Sequence, residues 1–155
     1  MSIGTGPDSS AYQFEQVRIR GGIAADDGFW AGLEDGEFRL PRCPDCRTWR
    51  WPAHFRCGVC GGWEQEWVAV EARGTVYTWT RTWYAFDRTR ARADDVPYTV
   101  ILAEIPHAGD ARVLGVLRGL DTALRIGAAV TGSIDPPSEK SMGYASIRWS
   151  LGVDA

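Results

Sequence analysis

Two pairs of cysteines constrain this chain more than any other feature of its sequence. Cys43 and Cys46 form one Cys-x-x-Cys pair, Cys57 and Cys60 form a second, and the chain contains no other cysteine. Two such pairs can place four thiolates around one ion, and a closed tetrahedral sulfur site is typical of structural zinc. The spacing therefore predicts a zinc ribbon in which the metal supports the fold and is closed to substrate.

Other uses of four cysteines fit this pattern less well or stay open. Two disulfides would suit an oxidising compartment, but the N-terminus shows no secretory signal pattern. A redox function would need only one Cys-x-x-Cys pair. Iron in a rubredoxin-like site uses the same ligands as zinc, so the spacing leaves the ion open. Arg47 follows Cys46 where glycine is usual, which predicts a left-handed backbone conformation at a non-glycine residue.

The residues before the first cysteine pair predict a short helix. Aspartates at its start and Gly36 at its end are typical helix boundaries. Phe29, Trp30 and Leu33 would share one face of this helix. A helix of about ten residues does not persist alone in water. Its aromatic face is therefore expected to dock on the ribbon itself or on a partner protein, and these three residues are the candidate partner contacts.

From residue 66 onward the sequence becomes a series of short β-type segments. They are rich in β-branched and aromatic residues and are separated by turns, which predicts a small closed barrel of five or six antiparallel strands. Five side chains are expected inside it: Val76, Val100, Leu102, Val116 and Val130. Residues 38–41 and 48–55 are interpreted as the two strands of the ribbon. The predicted divisions are a flexible arm (1–25), helix plus ribbon (26–65) and barrel (66–155).

Composition argues against several classes of function. The net charge is −3 and Lys140 is the only lysine, whereas nucleic-acid-binding domains are usually basic. No segment approaches the roughly 18 apolar residues of a membrane span. With no signal pattern either, the chain is expected in the cytoplasm. No Gly-x-Ser-x-Gly or His-Glu-x-x-His motif occurs, so no catalytic residue is predicted.

Several motifs in one order resemble the acyl-CoA-associated zinc-ribbon/OB-fold family, first filed as domain of unknown function thirty-five. They are FWAGLEDGEFRLPRC from Phe29, the two cysteine pairs, GTVYTWT from Gly74, PYTVILAEI from Pro97, VLGVLRG from Val113 and LRIGAAV from Leu124. The match covers residues 27–151. It implies a mainly β protein, with a short N-terminal helix, a rubredoxin-like zinc ribbon holding structural Zn²⁺, and a C-terminal OB-fold barrel.

The resemblance also implies an accessory role. Members of the family are partner subunits of enzymes that act on acyl-CoA thioesters. The partners include thiolase-like lipid-transfer proteins, steroid side-chain aldolases and MaoC-like hydratases. We therefore expect a subunit without catalysis of its own, with acyl-CoA at the interface and lipid or steroid degradation as a candidate pathway. The alternative is a module that binds single-stranded nucleic acid, since zinc ribbons and OB-folds both serve that function.

An arginine-rich segment after residue 84 offers a candidate site for coenzyme A. Arginine makes forked contacts to phosphate groups, and coenzyme A carries a pyrophosphate and a 3′-phosphate. The candidate phosphate ligands are Arg81, Arg88, Arg90 and Arg92. The alternative is a solvated loop whose arginines pair with the aspartates of the same segment.

Overall fold

The structure is a computed structural model that describes residues 25–152, and it is mainly β. Helix α1 spans Asp27–Glu34. The strands are β1 (Arg39–Arg42), β2 (Glu66–Ala69), β3 (Arg73–Thr82), β4 (Tyr98–Ile105), β5 (Ala111–Arg118), β6 (Ala129–Asp135) and β7 (Ser146–Leu151). Short 3₁₀ segments span Asp87–Asp95, Pro106–Ala108 and Glu139–Ser141. The predicted N-terminal arm lies outside the described residues, apart from Ala25.

Strands β1 and β2 form the small sheet of the ribbon. They pair antiparallel, with Leu40 opposite Val68. The prediction that residues 48–55 form the second strand is wrong, because this segment contributes only the isolated pair between Trp49 and Arg42. Pro52 has no N–H to donate to a strand neighbour. The pairing of β2 also crosses the predicted boundary at residue 66, and the barrel begins with β3.

The remaining five strands close into an OB-fold barrel in the order β3-β4-β5-β7-β6. Neighbouring strands run antiparallel except β5 and β7, which are parallel, with Val116 opposite Arg148. The prediction of an entirely antiparallel barrel is therefore wrong at this pair. A closed ring with an odd number of strands cannot alternate direction at every contact, so five strands require a parallel pair.

The side chains that fill the barrel differ in part from those expected. Val76 and Val130 are buried, as predicted. Val100 and Leu102 are not buried, because the inward phase of β4 falls on its other residues, and Val116 is not buried either, because β5 buries Ala111, Val113 and Leu117 instead. The inward residues of β4 are Thr99, Ile101, Ala103 and Ile105. Alternate residues of a strand face opposite sides of a sheet, so a shift of one residue exchanges the two faces.

Ile101 and Leu102 provide a matched test of this register. Ile101 is fully buried and Leu102 is partly exposed. We expect Ile101→Ala to lower the free energy of unfolding by about 2–5 kcal/mol, because it leaves a cavity in the core. Leu102→Ala should cost clearly less. Chemical denaturation of both variants measures the difference, and equal losses would contradict the register of β4.

Helix, ribbon and barrel share one hydrophobic core. Trp149 of β7 is fully buried, and Phe38 beside β1 meets it edge to face with ring centroids 6.0 Å apart. Trp51 between the cysteine pairs donates its indole N–H to the carbonyl of Arg112 at 2.9 Å. Its ring also packs on Phe29 of α1, with centroids 4.6 Å apart. The ribbon is thus fixed to the barrel from several sides.

Of the helical segments in residues 25–152, none has the length and apolar character that crossing a membrane requires.

Candidate metal centre

The four cysteine sulfurs meet at one end of the ribbon. All four Sγ atoms lie within 4.8 Å of one another. The distances Cys43–Cys60 and Cys46–Cys57 are both 3.6 Å. A tetrahedron with metal–sulfur bonds of about 2.3 Å has edges of about 3.8 Å, close to these distances. A disulfide would bring two sulfurs to about 2.05 Å. The arrangement therefore fits a metal ion bound by four thiolates.

Two turns of equivalent geometry present these sulfurs. In the first turn the N–H of Arg47 donates to the carbonyl of Cys43 at 3.0 Å, and in the second the N–H of Gly61 donates to the carbonyl of Cys57 at 2.9 Å. The residues after the two pairs both have left-handed backbones, with φ of 64° at Arg47 and 79° at Gly61. The left-handed conformation predicted for Arg47 is confirmed. Its steric cost of about 1–2 kcal/mol is small beside four metal bonds.

The thiols of this cluster differ in acidity. Hydrogen bonds with the hydroxyl and backbone N–H of Thr48 lower the pKa of Cys46 to about 6. Backbone N–H groups of Cys60 and the residue before it lower the pKa of Cys57. The N–H of Gly62 favours ionisation of Cys60, but the neighbouring thiols and burial outweigh it and raise its pKa to about 12. Four adjacent thiolates repel one another, and a bound divalent cation relieves this repulsion.

A buried arginine, Arg50, joins two segments of the ribbon. The guanidinium of Arg50 donates to the carbonyl of Glu64 at 2.8 Å and also to the carbonyl of His54. These bonds join the loop between the cysteine pairs to the segment that follows the second pair. Nearer the first turn, Arg42 and Arg47 both contact the carboxylate of Glu66, at 2.6 and 2.8 Å. These contacts could not be predicted from the sequence, because their partners are distant in the chain or are backbone atoms.

The aromatic face of α1 lies largely inside the protein. Phe29 and Leu33 are only 4% and 2% exposed. A partner on the surface would not reach these two side chains, so their role as partner contacts is corrected to packing within the chain's own core. Trp30 is partly exposed, packs on Tyr144 with centroids 4.8 Å apart, and donates its indole N–H to Asp26. Contact between Trp30 and a partner stays a prediction.

The four candidate arginines do not form one group. Arg81 at the end of β3 and Arg92 in the first 3₁₀ segment line the same cleft at one end of the barrel. Arg88 and Arg90 are exposed and lie outside that cleft. Binding of coenzyme A by any of the four stays a prediction.

Exposed aromatic residues at the end of β3 were missed as candidate contacts. Trp83, Tyr84 and Phe86 are 69%, 67% and 65% exposed. The rings of Tyr84 and Phe86 meet edge to face with centroids 5.1 Å apart. These aromatics were visible in the sequence. However, Trp83 and Tyr84 continue a β-type run, and such a run does not show where the strand leaves the core.

Fold and cysteine cluster define a protein with a zinc ribbon joined to an OB-fold. Two family models match consecutive parts of it: the ChsH2 rubredoxin-like zinc ribbon domain at residues 30–64, and the ChsH2 C-terminal OB-fold domain at residues 67–135. Together these matches span most of the chain. The chain belongs to the ChsH2 family, also called DUF35.

Solved structures show the same fold. A chain of the Ltp2-ChsH2(DUF35) aldolase matches with a TM-score of 0.67 and 23% identity, over 86% of this chain and 100% of that one. A DUF35 protein of unknown function from Sulfolobus solfataricus matches with a TM-score of 0.56 and 18% identity, over 89% and 91% of the two chains. No curated protein sequence gives a significant match.

Proposed function

We propose that this protein is a zinc-binding accessory subunit of a thiolase-like or aldolase enzyme that acts on acyl-CoA substrates. The observation that carries the proposal is the cluster of Trp83, Tyr84 and Phe86, three neighbouring and largely exposed aromatic side chains at one end of the barrel. Contiguous exposed apolar surface of this kind marks a protein interface more often than bare solvent contact. Buried aromatic side chains also carry a large share of the binding energy in interfaces.

Family membership supports the kind of partner. One similar structure is named as an Ltp2-ChsH2(DUF35) aldolase, in which a chain of this fold occurs in an aldolase. An aldolase or thiolase-like lipid-transfer protein is therefore the first partner to test, and a MaoC-like hydratase the second. Acyl-CoA would bind at the interface, with steroid or lipid side-chain degradation as the proposed context.

Zinc is the proposed ion of the four-thiolate site. Zn²⁺ favours tetrahedral sulfur coordination, and the sulfur spacing of 3.6 Å fits its bond length. A site with four protein ligands leaves no open position for substrate, so the proposed role of the metal is structural. Thiolates stay reduced and available to a metal in the cytoplasm, where we propose the protein works.

Trp83 and Trp63 give a matched test of the interface. They are 69% and 67% exposed but lie on the barrel and the ribbon, respectively. We expect Trp83→Ala to weaken the complex with the partner enzyme by about 2 kcal/mol, as for an aromatic anchor. Trp63→Ala should leave affinity nearly unchanged. Titration of the partner with each variant measures affinity, and the partner's activity on acyl-CoA should fall in step with loss of complex.

Three results would contradict the proposed function. Turnover of acyl-CoA by the purified chain alone would make it an enzyme in its own right. A partner enzyme that stays soluble and fully active without this chain would remove the accessory role. Salt-dependent binding of single-stranded DNA, with no complex formed with these enzymes, would favour the nucleic-acid module.

A further inference from the structure

A cleft of about 640 Å³ opens at the end of the barrel near the exposed aromatic cluster. The 3₁₀ segments Asp87–Asp95 and Glu139–Ser141 contribute to its sides, and residues of β4, β5 and β7 also line it. Its cationic lining residues are Arg81, Arg92, Lys140 and Arg148. They come from four separate parts of the sequence, and only the fold brings them together.

Positive charge exceeds negative charge in the ion pairs of this cleft. Asp121 pairs with Arg81 at 2.5 Å. Asp95 is shared by Lys140, at 2.5 Å, and Arg92, at 3.6 Å. Beside the cleft, Asp135 pairs with Arg118 and lies 3.9 Å from Arg148. Arg118 and Asp135 are not among the residues that line the cleft, so its four lining cations meet two lining carboxylates, which leaves an excess of two positive charges. The whole chain has the opposite sign, with a net charge of −3.

The two most buried cations of the cleft lie close to each other. The side chains of Arg92 and Arg148 are 12% and 23% exposed. Burial lowers the pKa of Arg148, the charge of Asp135 opposes this shift, and the nearby charges of Arg92 and Arg118 add to it. The buried Nε of Arg148 has no hydrogen-bond partner within residues 25–152. Asp95 and Asp135 are each shared between two cations, so they neutralise Arg92 and Arg148 only in part, and a further anion would be favourable there.

We propose that this cleft binds a small phosphorylated molecule, with its phosphate held by Arg92, Lys140 and Arg148. A phosphate monoester carries about −1.5 to −2 charges at neutral pH, which matches the excess of two, whereas a carboxylate supplies only one. Guanidinium groups make forked hydrogen bonds to phosphate oxygens. The exposed ring of Trp83 on the cleft wall offers a surface on which a planar base can stack.

The ligand would bind the isolated chain, in which the ring of Trp83 is exposed. Coenzyme A and free adenine nucleotides share the required chemistry, a phosphate near a planar base. Arg81 and Arg92, expected from the sequence to bind phosphate, belong to the cleft, whereas Arg88 and Arg90 do not. Lys140 and Arg148, which the sequence did not bring forward, complete the cationic lining of the cleft.

Arg92 and Arg90 provide a matched pair of variants. They lie in the same 3₁₀ segment, and Arg92→Gln and Arg90→Gln remove the same charge from inside and outside the cleft. Calorimetric titration of the zinc-loaded full-length protein with adenosine 3′,5′-bisphosphate at low salt measures affinity. We expect Arg92→Gln to weaken binding about tenfold or more, as for loss of a charged hydrogen bond, and Arg90→Gln to weaken it less than about twofold.

Two further variants, Lys140→Gln and Trp83→Ala, test the phosphate site by the same titration if Arg92→Gln folds poorly. Lys140 is 47% exposed, so Lys140→Gln removes a cleft charge with little effect on packing, and it should also weaken binding. Trp83→Ala should weaken binding of the bisphosphate but not of inorganic phosphate. Tighter binding of coenzyme A than of the bisphosphate would identify coenzyme A as the source, and equal binding would indicate adenine nucleotides in general. Equal losses of affinity for the bisphosphate in the Arg90 and Arg92 variants would overturn the proposal. So would the absence of binding of both the bisphosphate and coenzyme A at about 10 mM.

Discussion

The Cys43→Ser variant is expected to lose the bound metal and, with it, the folded ribbon. Cys43 is fully buried and supplies one of the four sulfurs. Binding of structural zinc supplies on the order of 10 kcal/mol or more of folding free energy in small ribbons. That exceeds what a two-stranded sheet can provide alone. Elemental analysis should find one zinc per chain in the unaltered protein and none in the variant, with a large fall in the temperature of unfolding.

Thr48→Val is the matched control for this prediction. Thr48 contacts Cys46 Sγ at 3.3 Å but supplies no sulfur, so the variant should keep its metal. Elemental analysis also separates zinc from iron, which would use the same four ligands. An unaltered protein that contains no stoichiometric metal, or that unfolds at the same temperature after metal removal, would contradict the metal centre.

Trp149→Ala is expected to lower the free energy of unfolding by about 3–5 kcal/mol. Trp149 is fully buried, and two glycines of the barrel make room for its ring. A Cβ at Gly115 would come within 2.7 Å of the indole, and one at Gly132 within 2.9 Å. Phe38 also meets the ring, edge to face. The cost is therefore that of a large cavity in a core shared by ribbon and barrel.

Trp63→Ala removes the same side chain from the surface and serves as the control. Trp63 is largely exposed, with the guanidinium of Arg56 over its ring at 5.4 Å. Its removal should change the free energy of unfolding by less than about 1 kcal/mol. Denaturant titration of both variants gives the comparison, and a loss at position 149 no larger than that at position 63 would show that Trp149 is not central to the core.

Features set by neighbouring residues were predictable from the sequence. The spacing within and between the two cysteine pairs predicted the sulfur cluster, and the residue after Cys46 predicted the left-handed turn at Arg47. Short β-type segments predicted a barrel, since turn residues separate them clearly. Each of these signals lies within a few residues of the structure that it predicts.

Features set by distant residues were not predictable in the same way. Strand β4 is apolar on both faces, so its alternation could not show that Ile101 rather than Leu102 points inward. The parallel pairing of β5 and β7 follows from closure of the whole ring. The cleft that joins Arg92 to Arg148 depends on that same closure, because β7 carries Arg148 to its place beside β5.

The contact between Phe38 and Trp149 joins two residues that leave the ribosome at very different times. Phe38 lies beside the first strand of the ribbon, whereas Trp149 belongs to the last strand of the barrel. Chains emerge from the ribosome N-terminus first, so all four cysteines are available long before the strand that covers their ribbon. Metal uptake can therefore precede closure of the core, and the apolar face of the ribbon stays uncovered until β7 has emerged.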